Sequence, residues 1–145
     1  MAQQLTFELV TPAGQEFSED VYEVQLPTIA GQISVLPHHM DIVSIAAPGV
    51  VSIRMRETDK DAAMEHFATN GGIIEVQDGV IRLLADEIER ADNVDEMKAK
   101  EALQRAQAMR ASADDQISIS EAEAMIEHSA ARLKVADLKR RKNRF

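Results

Sequence analysis

The chain is expected to be an α+β protein with its two structural types in series, an N-terminal all-β sandwich followed by a C-terminal antiparallel two-helix hairpin. Three observations predict this. Short β-rich runs separated by Gly, Pro, Asn and Asp succeed one another at close spacing through about the first 85 residues. At Ala85 the β-branched residues thin out, and the helix formers Ala, Glu, Met, Lys and Gln take over. No ten-residue helical pattern interrupts the first half, which argues against βαβ folds. The expected division is residues 1–89 for the sandwich and residues 90–145 for the hairpin.

The strands follow from alternation and punctuation. Leu5, Phe7 and Leu9 share one apolar face, and Thr11-Pro12-Ala13-Gly14 stops that strand. In the next run Tyr22, Val24 and Leu26 are the expected buried face, with Val21, Glu23 and Gln25 opposite. Gly31 and Pro37 bracket a strand over 32–36, and Pro48-Gly49 separates Ile42-Val43-Ser44-Ile45 from Val50-Val51-Ser52-Ile53. The polar run 57–61 reads as a hairpin tip. Two further runs, 62–69 and 73–77, flank Asn70-Gly71-Gly72. Asp78-Gly79 then joins the second to 80–85, and both residues of such a turn must tolerate positive φ.

The helical half has its own start signals. Asn93 is a cap for a helix over 94–111, with Glu96 at the capping-box position and Met97, Leu103, Ala106 and Met109 as its apolar stripe. A break falls at 112–117. Ser120 with Glu123 forms a second capping box, followed by Met125, Ile126, Ser129, Leu133 and Ala136. Both stripes are narrow and rich in alanine, so the pair buries little area and is expected to be a movable element.

Composition narrows the function. An apolar share of 45% suits a globular chain with a core, and the absence of cysteine removes disulfides, thiolate metal sites and cysteine nucleophiles. Met1 to Leu5 lack the basic and apolar regions of a signal peptide, and no run of about 18 apolar residues occurs, so membrane association is expected to go through another protein. The net charge of −9 divides unevenly: −11 through Glu89, where 4 Lys/Arg face 15 Asp/Glu, and +2 beyond it. The last fourteen residues hold seven bases (Arg132, Lys134, Lys139, Arg140, Arg141, Lys142 and Arg144) against Asp137 alone. An acidic first half repels nucleic acid, whereas the basic tail suits an acidic protein surface or phosphate groups, besides complementing a helix dipole.

A catalytic constellation does not emerge. Gly71-Gly72 lacks the Lys-Ser/Thr of a phosphate loop. His38 and His39 are adjacent, so on a strand they face opposite sides, leaving only His39 with Asp41 as a weak metal pair. His66 and His128 fall in unrelated elements, and no serine sits in a nucleophile-elbow context. A protein that acts through partners is expected, with no metal and no cofactor.

Several segments, in order, resemble the ε subunit of F-type ATP synthases. They are Val10-Thr11-Pro12, Phe17-Ser18, the run from Gly31-Gln32 to His38-His39, Pro48-Gly49-Val50-Val51, Asn70-Gly71-Gly72-Ile73-Ile74-Glu75-Val76, Leu84-Ala85-Asp86, Val94-Asp95-Glu96-Met97-Lys98-Ala99 and Arg132-Leu133-Lys134-Val135-Ala136. The resemblance implies a non-catalytic stalk subunit that couples and regulates catalysis. Its sandwich would bind the γ subunit and the c-ring, and its hairpin would extend into the α and β subunits of the catalytic head to inhibit hydrolysis. The implied location is peripheral, on the cytoplasmic side of a bacterial plasma membrane.

Residue by residue, the resemblance assigns the c-ring contact to Gly31, Gln32 and His39, with Gln32 replacing the usual glutamate, Ser34 a glycine and His38 another. The inhibitory basic helix maps to Arg132, Lys134, Lys139, Arg140 and Arg141. Some relatives hold a regulatory ATP, for which the matching positions are Val94, Asp95, Lys98 and Ala99, supported by Glu89, Arg105 and Arg132, with His128 where a second base is often found. Lys98 in place of arginine removes a bidentate phosphate fork, so weak or absent ATP binding is expected. Two other readings of the residues are a free-standing sandwich module with a dimerising hairpin and a metalloenzyme built on His39.

Overall fold

The structure, a computed structural model, describes residues 4–143, so Arg144 and Phe145 of the basic tail lie outside the described residues, as do Met1, Ala2 and Gln3. Ten strands precede two helices. The strands are β1 (Leu5–Thr11), β2 (Gly14–Val21), β3 (Glu23–Thr28), β4 (Gly31–Val35), β5 (Ile42–Ala46), β6 (Gly49–Arg54), β7 (Glu65–Thr69), β8 (Gly72–Gln77), β9 (Val80–Leu84) and β10 (Ile88–Arg90). The helices are α1 (Glu96–Ser112) and α2 (Gln116–Asn143).

Hydrogen bonding runs β10-β7-β6-β3-β5-β8-β9-β1-β2, with β4 on β3. β3 registers with β5 only at Thr28↔Ala46 but with β6 from Glu23 to Gln25, so the sheet turns a corner at the end of β3. Two layers result: β10-β7-β6-β3-β4 and β5-β8-β9-β1-β2. Pairing is antiparallel except between β1 and β9.

Between the layers lies the core. Leu5, Phe7 and Leu9 are buried as their alternation predicts, together with Val24, Leu26, Val35, Val51, Ile53, Ile74, Ile81 and Leu83. Phe17 links the aromatics edge-on, with its ring centroid 5.9 Å from Phe7 and 5.5 Å from Phe67. Val21 departs from the expected pattern. It closes β2 and is buried, because the chain bends at Tyr22 and the alternation of β2 does not carry into β3. The strand expected over 62–69 likewise begins only at Glu65, after a 3-10 turn at Asp61–Ala63. That turn is tied back by Arg54, whose guanidinium bridges Glu23 at 2.9 Å and Asp61 at 2.6 Å.

Asn70-Gly71-Gly72 folds β7 over into β8. The Asn70 Oδ1 accepts the Glu87 N–H at 3.1 Å, and the Thr69 hydroxyl accepts that of Gly71 at 3.2 Å. Gly72 has φ 143°, and a Cβ there would stand 2.0 Å from the Leu84 carbonyl oxygen. No side chain fits. Gly72→Ala is therefore expected to destabilise the sandwich by roughly 3 kcal/mol or more, since both the backbone conformation and the β8–β9 approach are lost. Urea unfolding followed by circular dichroism measures it.

Both helices begin elsewhere than the capping boxes suggest. The expected cap Asn93 ends a 3-10 turn, Ala91–Asn93, and α1 is capped by Asp95, whose carboxylate accepts the Lys98 N–H at 3.1 Å. Asp115 does the same for α2, accepting the Ser118 N–H at 2.7 Å, so α2 starts a turn before Ser120. The Ser118 N–H lowers the Asp115 pKa, as a donor to the charged form must. β10 is a strand that the change of composition at Ala85 obscured; it pairs with β7 over Ile88–Arg90.

Candidate functional site

The sandwich has two outer faces, and they are treated differently. On the β6–β7 side, strand alternation points Val51, Ile53 and Phe67 inward and leaves Val50, Ser52, His66 and Ala68 outward, with Val50 opposite Ala68 and Ser52 opposite His66. α2 lies on this face. Ala131 and Val135 meet Ala68, and Val50, Ala91 and Val94 close the edges of the contact. β6 thus buries Val51, Ser52 and Ile53 in succession, one side against the core and the other beneath the helix.

Within the hairpin the contact is made by small side chains. Ala99 and Ala106 of α1, and Ala122, Ser129 and Ala136 of α2, are buried. Met97, Met109 and Met125, expected in the stripes, are instead exposed, Met97 by 72%. Leu103, Ile126 and Leu133 are half-buried. Long side chains would hold the helices apart, so the close contact selects alanine and turns methionine outward.

Charges rim the contact. Arg132 Nε donates to Glu89 at 2.7 Å, with both side chains largely covered, and Lys139 reaches Asp92 at 2.5 Å. Arg140 pairs with Glu96 at the start of α1 and with Asp137, and Arg141 with Asp137 at 3.1 Å. The lysine beside it holds Asp92 below the usual carboxylate range. Lys134 is exposed on α2. Of the five predicted basic positions, Arg132, Lys139, Arg140 and Arg141 are therefore paired with carboxylates of the chain itself.

The positions suggested for a nucleotide are only partly gathered. Glu89 and Arg132 meet, Asp95 is occupied with its capping bond, and Lys98 and Arg105 are exposed along α1, seven residues apart and so on one stripe. The ring-contact positions divide as well. Gly31 and Gln32 open β4 at the β3–β4 turn, where the Thr28 hydroxyl donates to the Gly31 carbonyl at 2.5 Å and Gln32 Nε2 to Gln25 Oε1 at 3.0 Å. His39 lies beyond the opposite end of β4, its Nδ1 2.6 Å from the Met40 carbonyl. Asp41 accepts the Asp78 N–H at 3.1 Å, and among the described residues no three His, Asp or Glu side chains form a metal-binding group.

The other outer face, on β5 and β8, carries what alternation alone did not single out. Val43, Ile45 and Ile73 are 76%, 56% and 47% exposed, with Ile45 directly opposite Ile73 across the strands. Ile29, at the tip of the β3–β4 turn, joins them through its N–H on the Ile45 carbonyl at 3.2 Å. The signal was available: Ile42-Val43-Ser44-Ile45 has apolar residues on both faces of the strand, and only one face can reach the core. Contiguous exposed apolar surface of this kind marks an interaction site.

One substitution isolates the hairpin contact. Val135→Asp places an unpaired carboxylate on the Ala68 surface at a cost of several kcal/mol, above about 3. We expect amide exchange in α2 to rise by at least about a hundredfold while β1, β8 and β9 keep their protection. Hydrogen-exchange mass spectrometry of the full chain distinguishes that result from global unfolding.

Residues 4–91 match the family model described as ATP synthase, Delta/Epsilon chain, beta-sandwich domain, a match that ends just after β10. The chain is 36% identical over 139 residues to the ATP synthase epsilon chain of Geotalea uraniireducens, covering 94% of this chain and 96% of that one. It is 35% identical over 145 residues to that of Geobacter metallireducens, covering 98% and 100%. The fold also matches a chain of the Euglena gracilis mitochondrial ATP synthase, with TM-score 0.75, 23% identity and coverage of 92% and 81%. A chain from the central stalk and c-ring of the Tetrahymena thermophila enzyme matches with TM-score 0.61, 12% identity and coverage of 90% and 97%. With a sandwich that fits the family model and relatives matched along almost their whole length, the chain belongs to the ATP synthase epsilon-chain family, as a non-catalytic subunit of an F-type ATP synthase.

Proposed function

We propose that this chain works in the rotor's central stalk, that its sandwich joins the γ subunit to the c-ring, and that its hairpin modulates hydrolysis by the catalytic head. The observation that carries the first part is the unequal treatment of the two sandwich faces. One is capped by the chain's own α2; the other offers Ile29, Val43, Ile45 and Ile73 to a partner. The Tetrahymena chain of similar fold belongs to a central stalk and c-ring assembly, which supports the same placement. Among the described residues no helix is long and apolar enough to cross a membrane. On this reading the subunit meets the membrane through its neighbours in the enzyme, on the cytoplasmic side of a bacterial cell.

The apolar β5–β8 face is the surface for γ. Around it, Glu8, Glu75 and Arg82 form an ionic cluster, with Arg82 3.0 Å from Glu8 and 3.6 Å from Glu75, and this polar rim limits how the partner is oriented. Gly31 and Gln32 serve the c-ring by hydrogen bonding, since glutamine donates and accepts where a carboxylate only accepts. Ile45→Lys combined with Ile73→Glu is expected to weaken γ binding by about a hundredfold or more, because it charges the centre of an apolar contact. Calorimetric titration of γ into the full chain measures this, and unchanged affinity refutes the assignment of the face.

The hairpin reading rests on how α2 is held. Its contact with the sandwich uses alanines and single valines, and its bases are neutralised by Glu89, Asp92, Glu96 and Asp137. Release exchanges Glu89 and Asp92 for acidic surfaces of the α and β subunits, while Asp137 travels with α2. The exposed Lys139–Asp92 pair contributes only about 0–1 kcal/mol, so the more covered Arg132–Glu89 pair is the principal ionic tie. The docked hairpin is then the permissive state and the extended one inhibitory. In an assembled complex, truncation after Asn93 is expected to preserve γ binding and raise ATPase activity several-fold. A truncated complex with unaltered hydrolysis would exclude the inhibitory role.

A further inference from the structure

Two histidines stand at the contact between hairpin and sandwich, and neither takes part in its ion pairs. His66, on β7, lies on the face covered by α2, half-buried, with its Nδ1 2.8 Å from the hydroxyl of buried Ser52 on β6. It lines a cleft of about 160 Å³ closed by the end of α2, where Lys139 and Lys142 face Glu65, Arg90 and Asp92. Arg90 stacks on Phe17 and Phe67, with its guanidinium 5.6 and 5.5 Å from their ring centroids, and Asp92 is engaged by Lys139. A proton on His66 would add a cation where the base-rich end of α2 already presses on the sheet. His128, on α2, is half-buried beside β10, in a cleft shared with Glu16, Asp86, Glu87 and Glu89, and with Arg132 one turn along the helix.

We propose that the hairpin–sandwich contact is a proton-sensitive latch, in which His66 and His128 must be neutral for α2 to lie on β6 and β7, so that acid releases the hairpin. It rests on the proposed ability of the hairpin to leave the sandwich. Burial is the main cause at both sites and disfavours the charged imidazole. At His66, Lys142 and Lys134 add to it. At His128, Arg132 adds to it, while Glu87 and Glu89 oppose without prevailing.

The sign follows from proton counting. Both histidines titrate below the ordinary 6.5 when covered and return toward it when α2 leaves, so the released state binds more protons. Docking is at full strength above that ordinary value. It weakens as pH falls below it, until the docked pKa values are passed. The limiting slope is one proton per histidine, so the docking constant falls by at most about tenfold per pH unit for each.

The cysteine-free chain allows a direct test, since Thr58→Cys and Glu121→Cys place dyes on exposed sandwich and hairpin sites for energy transfer. The docked fraction is expected to drop between about pH 7.5 and about pH 5.5, with the drop removed in the His66→Gln/His128→Gln variant and roughly halved in slope in either single variant. The Val135→Asp chain supplies the released reference. If it gives the docked signal at every pH, the mobile-hairpin reading fails. If it is released while the parent chain is insensitive to pH, the latch alone fails. Equal acid sensitivity in the parent and the double variant also overturns it. Should the double variant not dock at all, nuclear magnetic resonance titration of the intact chain decides. Imidazole pKa values below the ordinary one at both positions support the latch, and values at or above it overturn it.

Discussion

The arrangement depends on one contact, the small-residue surface of α2 on the outer face of β6 and β7. Val50 and Ala68 on the sheet, and Ala131 and Val135 on the helix, let backbone approach backbone. Close approach gives good packing density but little apolar area. At ~0.8 kcal/mol per buried CH₂, such a pad contributes only a few kcal/mol, against the much larger sum from the Phe-, Leu- and Ile-filled core between the two layers. The sandwich therefore has stability of its own to spare, whereas the hairpin's position depends on a small margin.

Charge sets that margin. The sandwich carries most of the acid, and the chain from Arg90 onward most of the base. In the docked arrangement they meet: Glu89 with Arg132 and Asp92 with Lys139, flanking the apolar pad. A net charge of −9 conceals this pairing entirely. Of the bases that the family resemblance associates with inhibition, Arg132 and Lys139 are thus the two that tie α2 down, while Arg140 and Arg141 pair within the hairpin. A competitor for those bases needs carboxylates of its own, within the screening distance of about 8–10 Å. In the proposed regulatory role, the same bases would serve both positions, which brings the exchange close to balance.

Much of this was legible in the sequence, and the reasons it stopped are local. Leu5, Phe7 and Leu9 announced a half-buried strand because alternation has one cause, a core on one side. Asn70-Gly71-Gly72 and Asp78-Gly79 marked turns because few residues tolerate their backbone; Asp78 takes φ 50° and Gly79 φ 78°. The helix stripes misled. Hydrophobicity pointed to Met97, Met109 and Met125, but in a close alanine contact size outranks hydrophobicity, and the largest apolar side chains face water. Asn93 and Ser120 lost to Asp95 and Asp115, which also offer acceptors and stand just before the first residues of the helices. β10 was hidden because three residues carry too little pattern; its partner β7 defines it.

The positions suggested for the ring contact acquire meaning only in three dimensions. Gly31 and Gln32 sit at the end of the sandwich where the β5–β6 turn, Ala47, Pro48 and Gly49, also lies. Across a groove from them run Glu127, Ala130, Ala131 and Lys134 of α2. The packing there is tight, since a Cβ on Gly49 would come within 2.9 Å of Pro27. The β3–β4 turn therefore has two sides: Gly31 and Gln32 lie beside the hairpin, while Ile29 joins Val43, Ile45 and Ile73 on the β5–β8 face. The fold thus sets an exposed apolar face on β5 and β8 apart from the face covered by α2, with the β3–β4 turn between them. Under the proposed release of α2, the groove beside Gly31 and Gln32 opens, while Ile45 and Ile73 keep each other as cross-strand neighbours.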